Sequence, residues 1–247
     1  MTLEHDQLEL ARFGAEPGMP LLLFHEGLGS LSMWRDFPEK LAKASGREVI
    51  VWSRRGYGAS GSFDAPYDLD FMHREADTAA RVMADLGFAQ AHVFGHSDGG
   101  SIAMLLAARH PGRVASLILE APHVMVEPVC ISAIKAVEAG SAALVSRLGR
   151  YHRDAAAVFR QWFAIWTDPR FPAWTIEAEI ESVTCPVLLI QGDDDEYGTC
   201  EQLDRIQARV PQARQLRLAA CGHSPHRDQQ DAVLAAASVF LNELGDA

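Results

Sequence analysis

The amino-acid sequence predicts an α/β protein whose mostly parallel β-sheet carries helices on both faces. Short apolar runs alternate with amphipathic segments along most of the 247 residues, and this alternation is typical of parallel sheets covered by helices. The apolar fraction of 48% is ordinary for a globular protein, so the chain can bury a full core. Its length suits a single α/β domain with a small insertion.

Seven apolar runs, each bounded by glycine, proline or charged residues, predict the strands of this sheet. They cover residues 8–13, 21–25, 48–52, 92–95, 116–120, 187–191 and 215–218. The first run is a candidate edge strand that pairs antiparallel with the second. The others are separated by helical segments, which favours a parallel arrangement.

Apolar residues recur at helical spacing between these runs. Steps of four and three residues define one apolar face, which Gly87 follows as a C-terminal stop; the face comprises Met72, Ala76, Ala79, Met83 and Leu86. Residues 98–110 form a second helical segment, closed by Pro111 and Gly112. A third helical face lies near the C-terminus, within residues 233–241.

One region interrupts the alternation of strands and helices. Residues 123–183 show no convincing central strand, but they hold alanine-rich helical stretches and three of the five tryptophans. A simple crossover between parallel strands needs far fewer residues. We therefore predict a helical cap at residues 123–183, inserted into a core formed by residues 1–122 and 184–247. An ordinary crossover with a well-packed aromatic core is the alternative.

Charge and composition exclude several classes of partner. The formal net charge of −11 predicts an acidic surface that repels phosphate backbones, so nucleic acid is not expected to bind.

Residues 1–14 lack the basic and apolar regions of a signal peptide, and no apolar run approaches the ~18 residues that cross a membrane. None of the four cysteines forms a CxxC pair, which argues against a zinc site. We expect a cytoplasmic protein without a membrane partner.

The stretch VFGHSDGG, at residues 93–100, surrounds Ser97 with glycines. A strand-like run leads into it and a helix-like segment leads out, which is the context of a G-x-S-x-G nucleophile elbow. In such a turn the positions of Gly95 and Gly99 approach each other so closely that a side chain would clash. The pattern predicts Ser97 as a nucleophile on strained backbone. A phosphate-binding turn is less favoured, because G-x-G-x-x-G and the P-loop lysine are both missing.

A serine nucleophile needs a base, and the base needs an orienting group. Three aspartates, Asp193, Asp194 and Asp195, come just past the run at 187–191. A carboxylate at this position lies on the same sheet edge as the elbow, where open α/β sheets form their active sites. The order of serine, aspartate and histidine along the chain is the one expected for this topology.

The base is predicted from the loop after the last run. His223 follows a glycine in this loop and lies on the same sheet edge, so we assign it as the base. His226 competes weakly with His223, and we expect it to cap or open the last helix instead.

Together these motifs resemble the α/β-hydrolase superfamily. The resemblance covers nearly the whole chain and includes HEGLG at 25–29, RGYGAS at 55–60, the GHSDGG elbow, residues 192–195 and the Gly-His pair at 222–223. It implies an eight-stranded sheet with a helical cap after the sixth strand, and the run at 187–191 is then the seventh strand. In relatives the acid usually lies three residues after the glycine. This selects Asp195 and leaves Asp193 and Asp194 as a solvated turn.

An acyl-transfer site also needs two backbone N–H donors for the oxyanion. Asp98 follows the nucleophile at the start of a helix, where the helix dipole favours negative charge, and is the first predicted donor. Relatives often read His-Gly-x in the loop after the second run, with the third residue donating. This implies Gly27 as the second donor, with Leu28 as the alternative. Glu26 departs from the relatives' glycine, and we expect its carboxylate to point away and pair with an arginine.

Three further residues are assigned supporting roles. His25 is expected to brace the loop after its strand, and the resemblance places His96 beside the elbow. Relatives commonly place an aspartate near Arg54, where this chain has Ser-Arg; we interpret this departure as structural.

The predicted function is that of a carboxylesterase-like serine hydrolase. Such an enzyme cleaves the ester, or a related acyl bond, of a small and fairly apolar molecule through an acyl-enzyme. A serine at the elbow argues against dehalogenases and epoxide hydrolases, whose similar elbows carry an aspartate. No metal or organic cofactor is expected, and the oligomeric state stays open, a homo-oligomer included.

Other functions of the same fold remain as alternatives. Carbon–carbon bond hydrolases share the triad but usually bind a carboxylate, which calls for an inward arginine; Arg150, Arg153 and Arg160 lie in the predicted cap. Small-molecule receptors and cofactor-free oxidative enzymes also use this fold, because fold alone does not define function. Turnover of simple esters discriminates between these alternatives.

Overall fold

A computed structural model describes residues 2–3, 7–14 and 18–245 of the chain. Within these residues one sheet of eight strands has the order β1-β2-β4-β3-β5-β6-β7-β8. The strands are β1 (Thr2–Leu3), β2 (Leu8–Phe13), β3 (Leu21–Phe24), β4 (Val49–Trp52), β5 (Ala91–His96), β6 (Val114–Glu120), β7 (Val187–Gly192) and β8 (Arg214–Leu218). β2 pairs antiparallel with β1 and β4, and every other pairing is parallel.

The predicted α/β fold is confirmed, and each of the seven predicted runs forms a strand within two residues at either end. The predicted antiparallel partner of the first run was wrong. β2 pairs with β4, because β3 lies inside the sheet with β4 on one side and β5 on the other. The two-residue strand β1 was not predicted, since two residues carry no periodic signal.

Helices fill the connections between the strands. They are α1 (Phe37–Ser45), α2 (Phe71–Asp85), α3 (Asp98–Arg109), α4 (Pro128–Val137), α5 (Ser141–Leu148), α6 (Ala155–Trp166), α7 (Glu201–Arg209), α8 (Pro225–Asp228) and α9 (Gln230–Leu244). The apolar face predicted for α2 is buried from Met72 to Met83. Gly87 lies two residues beyond the helix with a φ of 81°, a left-handed conformation that favours glycine.

Alternate side chains of the buried strands feed two cores, one on each face of the sheet. In β3, Leu22 and Phe24 join the core that also contains α2 and α3. Leu21 and Leu23 join the opposite core, with α1 and α9. Because side chains alternate between the two faces, a shift of register by one residue would exchange the two sets. Each fully buried leucine contributes about 1.5–3 kcal/mol to the free energy of unfolding, so such a shift would be strongly disfavoured.

The segment at residues 123–183 contains α4, α5 and α6 but contributes no strand to the sheet. Its two ends lie together, because the Ile176 N–H donates to the Val124 carbonyl at 2.9 Å and Met125 forms an isolated bridge with Thr175. The chain therefore leaves the sheet after β6 and returns at nearly the same place. The division into a cap and a core stays a prediction, and residues 1, 4–6, 15–17 and 246–247 of the predicted core lie outside the described residues.

One helical stretch of this segment is long and apolar. Pro128–Leu148 spans 21 residues with a mean hydropathy of 1.5 in its most apolar window, of which 11% is buried. By length and composition alone it could cross a membrane, a test that helices of soluble proteins also pass. The sequence prediction overlooked it, because Lys135 and Glu138 interrupt the apolar run.

Candidate active site

The predicted site residues meet at the carboxyl ends of three parallel strands. Ser97 follows β5, Asp195 lies three residues past β7, and His223 lies in the loop after β8. Parallel strands bring their carboxyl ends to one edge of the sheet. The fold therefore collects these side chains from distant parts of the chain.

Ser97 occupies a strained turn between β5 and α3. Its φ of 53° and ψ of −121° are rarely adopted by a residue with a side chain. A Cβ on Gly95 would lie 2.4 Å from the Gly99 carbonyl oxygen, and a Cβ on Gly99 would lie 2.1 Å from the Phe24 carbonyl oxygen. Both glycines are therefore required by close backbone approach, as the elbow pattern predicts.

Ser97, His223 and Asp195 form a continuous hydrogen-bonded chain. The Nε2 of His223 lies 2.9 Å from the Ser97 Oγ. Its Nδ1 lies 2.9 and 2.8 Å from the two carboxylate oxygens of Asp195. A carboxylate only accepts, so Nδ1 carries the proton and Nε2 is free to accept from the serine.

Asp195, and neither of its neighbours, faces the histidine. Its side chain is fully buried, whereas Asp193 and Asp194 are exposed, as predicted for a solvated turn. The end of β7 and the loop after it supply further donors to its carboxylate: the Gln191 amide at 2.6 Å and the Tyr197 N–H at 2.7 Å. Burial opposes ionisation of Asp195, but hydrogen bonding and charge from His223 hold its pKa below the usual value.

The predicted oxyanion donors lie next to each other. Asp98 begins α3, so its N–H has no acceptor within the helix. A Cβ on Gly27 would lie 2.9 Å from Asp98 Oδ2 and 2.5 Å from Trp162 Cδ1. Within residues 7–14 and 18–245, no protein group accepts a hydrogen bond from either N–H. Gly27 and Asp98 both line the cavity that Ser97 lines, and their role as oxyanion donors stays a prediction.

The loop that carries Gly27 is held through the Glu26 carbonyl oxygen. This oxygen accepts from His25 Nδ1 at 2.8 Å, from Arg54 Nη2 at 3.0 Å and from the Gly29 N–H at 3.0 Å. His25 thus braces the loop as expected. Arg54, interpreted from the sequence as structural, supports the same loop directly.

The Glu26 carboxylate is paired rather than free. One oxygen lies 3.6 Å from Arg227 Nη2, as the predicted arginine pairing requires, and the other lies 3.6 Å from His96 Nδ1. Burial opposes ionisation, but His96 and Arg227 hold the pKa of Glu26 well below its usual range. The Glu26 carboxylate therefore stays ionised behind the loop, between Arg227 and the ring of His96.

A cavity of ≈ 190 Å³ opens onto Ser97 and His223. Its walls are mostly apolar and include both the oxyanion loop and the helical segment after β6: Leu28, Met33, Ile134, Leu144, Leu148 and Trp162. None of the described residues that line it is an arginine or a lysine. Arg150, Arg153 and Arg160 therefore do not face it.

Three residues that line the cavity carry buried polar atoms without hydrogen-bond partners: Asp98 Oδ1, His123 Nδ1 and Trp166 Nε1. Burial raises the pKa of Asp98 to about 6, against the opposing charge of Arg54. Burial also lowers the pKa of His123 to about 3. Both side chains are thus biased toward their neutral forms, as expected for groups in an apolar pocket.

The prediction for His226 was wrong. It lies in α8 and neither caps nor opens the last helix; instead its Nδ1 donates to the Glu120 carboxylate at 2.7 Å, and its N–H donates to the same group. One potential metal-ligating atom from each of His96, Glu120 and His226 lies within 4.8 Å of the other two, close enough to hold a metal ion. The Glu120 carboxylate already accepts both bonds from His226, so the cluster is largely satisfied by protein hydrogen bonds.

The fold and the site define a hydrolase of the α/β class. The sequence model of the alpha/beta hydrolase fold family matches residues 19–161, and this protein belongs to that family. The chain is 27% identical over 238 residues to RutD of Caulobacter vibrioides, a candidate carbamate hydrolase, with 85% of this chain and 86% of RutD covered.

Two further comparisons are narrower in what they show. The serine hydrolase BPHL of Mus musculus is 35% identical over 71 residues, which are 29% of this chain and only 24% of BPHL. The crystal structure of a bacterial membrane phospholipase A superposes with a TM-score of 0.79 at 24% identity, covering 97% of this chain and 84% of that one. At this identity the superposition shows the shared fold alone.

Proposed function

We propose that this protein is a serine hydrolase that cleaves an ester of a small, largely apolar molecule through an acyl-enzyme. One observation carries the proposal: the unbroken hydrogen-bonded chain from Ser97 through His223 to Asp195, with distances of 2.8 to 2.9 Å. These distances match the reach that proton transfer between a nucleophile and its base requires. Ser97 is then the nucleophile, His223 the base and Asp195 the group that orients it.

The first half-reaction transfers the acyl group to the enzyme. The Ser97 Oγ attacks the ester carbonyl while His223 Nε2 takes its proton, and Asp195 stabilises the resulting imidazolium. The N–H groups of Gly27 and Asp98 donate to the oxyanion. When the tetrahedral intermediate collapses, the bond to the leaving oxygen breaks and His223 returns the proton to the departing alcohol.

The second half-reaction releases the acid. Water attacks the acyl-enzyme carbonyl and gives a proton to His223. The bond to Ser97 Oγ then breaks, His223 returns the proton to that oxygen, and the carboxylic acid leaves. The enzyme regains its starting protonation state.

The cavity supports a small and uncharged substrate. Its volume of ≈ 190 Å³ is below the roughly 300–1,000 Å³ of pockets for drug-sized ligands. The acidic residues Glu26 and Asp98 border it, and no arginine or lysine does so in the described chain. This distribution disfavours the carboxylate substrates of carbon–carbon bond hydrolases. It favours neutral esters, and the similarity to RutD makes carbamates the next bond to test.

A substrate panel tests the proposal. We expect sustained release of p-nitrophenol from short-chain p-nitrophenyl esters, slower release from long chains, and loss of turnover in Ser97→Ala. Ser132→Ala is the matched control, because Ser132 is exposed in α4 and bonds only the Pro128 carbonyl. An aryl carbamate and a lactone extend the panel. A single stoichiometric burst without turnover would instead indicate a receptor.

A further inference from the structure

We propose that His96 is a positioning residue that holds the loop of His223 and the loop of Gly27 in one arrangement through a buried ion pair with Glu26. This inference rests on the proposed function, since it takes His223 as the base. His96 directly precedes the nucleophile, and its side chain is buried. It makes one contact with each of the two loops.

The first contact fixes the position of the base. The Nε2 of His96 lies 2.7 Å from the backbone carbonyl oxygen of His223. A carbonyl only accepts, so Nε2 carries the proton. The His96 side chain is buried to 99%, so water cannot replace this donor without rearrangement. The bond joins the residue before the nucleophile to the backbone of the base.

The second contact reaches the oxyanion loop. The Nδ1 of His96 lies 3.6 Å from the Glu26 carboxylate and has no hydrogen-bond partner. With a proton already on Nε2, a favourable interaction with the carboxylate requires a second proton on Nδ1, which makes the ring an imidazolium. The charged form of His96 therefore satisfies both contacts at once.

The surroundings of His96 are consistent with a positive charge. Its ring faces two carboxylates, Glu26 and Glu120, and lies 5.2 Å from the ring of His223 and 5.0 Å from that of His226. Burial opposes protonation, but the two carboxylates and the His223 carbonyl raise the pKa of His96 above its ordinary value. Glu120 is already bonded to His226, so Glu26 is the partner left for a charge on His96.

Glu26 also contacts the segment that follows His223, through Arg227. Its other carboxylate oxygen lies 3.6 Å from Arg227, four residues after His223 in the chain. The peptide that follows Glu26 carries the N–H of Gly27, a predicted oxyanion donor. The ion pair thus links the elbow, the oxyanion loop and both ends of the His223 segment. It also explains how the chain tolerates a glutamate beside a developing oxyanion, because cationic partners offset its charge.

Variants at the two positions test this role. His96→Leu removes both contacts, and we expect kcat for p-nitrophenyl acetate to fall about 10- to 100-fold, the size of loss that a misplacement of about 1 Å can cause. KM should change less than about twofold. His96→Gln can restore a neutral donor to the His223 carbonyl but not the ion pair with Glu26, so kcat should recover only in part relative to His96→Leu. His110→Gln is the matched control, because His110 is half-buried and its ring bonds only Asp77, outside the site.

A double-mutant cycle separates positioning from packing. Glu26→Gln keeps shape and removes charge, and it should lower kcat by about the same factor as His96→Gln, because each change removes the ion pair alone. In the double variant with His96→Gln the losses should be less than additive, because each change removes the same ion pair. Additive losses, a kcat in His96→Leu within twofold of wild type, or a kcat in His96→Gln equal to that of wild type or no higher than that of His96→Leu would each overturn the proposal. If His96→Leu does not fold, the Gln variants decide the matter.

Failure of the proposed function gives a different result. In that case the wild-type protein and Ser97→Ala would hydrolyse the ester equally, before any change at His96 is considered. The positioning role is judged only against a wild-type activity that depends on Ser97. The two failures are therefore distinguishable in one set of assays.

Discussion

His223 Nε2 lies 2.9 Å from Ser97 Oγ, although 126 positions of sequence separate the two residues. The contact exists because β5 and β8 both end at the same edge of the parallel sheet. Nothing local to either residue creates it. The reactivity proposed for the serine therefore depends on the fold as a whole.

Asp195→Asn should lower kcat by about 10³- to 10⁴-fold, because an amide no longer enforces the proton on His223 Nδ1 or stabilises the imidazolium. The measurement is steady-state hydrolysis of p-nitrophenyl acetate. Asp193→Asn is the matched control, since Asp193 is exposed in the same loop. If Asp193→Asn were the damaging change, the assignment of the acid would be wrong.

Gly27→Ala should lower kcat by about 100-fold or more, the usual effect of losing one oxyanion donor. The added methyl would lie 2.5 Å from Trp162, so the loop must shift and carry its N–H away from the site. The same kinetic assay measures the loss, with the melting temperature recorded in parallel. Unchanged kcat in a folded variant would show that Gly27 does not donate.

Gly99→Ala should prevent folding or lower stability by several kcal/mol, because its methyl would lie 2.1 Å from the Phe24 carbonyl oxygen. Soluble yield and urea unfolding measure the effect. Gly140→Ala is the control, since a methyl there meets nothing within 4 Å. Equal stability of the two variants would contradict the close approach of the elbow to β3.

The stability contribution of His123 should depend on pH. Its pKa is about 3 in the folded protein because of burial and about 6.5 in the unfolded chain. Below pH 6.5 the unfolded state therefore binds a proton that the folded state does not, and stability falls as the pH drops toward 3. Between pH 7.5 and pH 5 this amounts to about 2 kcal/mol.

Urea unfolding of wild type and His123→Asn at these two pH values isolates that contribution. The variant lacks the imidazole, so its free energy of unfolding should fall less on acidification. Other groups titrate in both proteins alike and are removed by the difference. An identical pH dependence in both would show that His123 is protonated without penalty in the folded state.

The sequence predicted what depends on local pattern. The strands carry short apolar runs. The elbow needs glycine at positions 95 and 99 because the backbone approaches too closely there for a side chain. Asp195 required the resemblance to a known family, because one residue of register separates it from Asp194. The structure supplies the reason: the backbone N–H groups after Asp195 orient its carboxylate toward His223.

Other features could not be predicted because they arise from convergence of distant segments. The Glu120–His226 pair joins residues 106 positions apart, and neither neighbourhood in sequence suggests the other. The pairing of β2 with β4 depends on the order of the strands in the sheet, because β3 lies between β4 and β5 and is not available to β2. His96 precedes the nucleophile in a recognisable motif, but its contact with the His223 carbonyl is visible only in three dimensions.

The most direct test of the central claim is covalent labelling with a fluorophosphonate, followed by intact-protein mass and peptide mapping. We predict one adduct per chain on Ser97, and a greatly reduced labelling rate in His223→Ala. Labelling at another residue, or no labelling of the folded wild-type protein, would contradict the assignment of Ser97 as a nucleophile activated by His223.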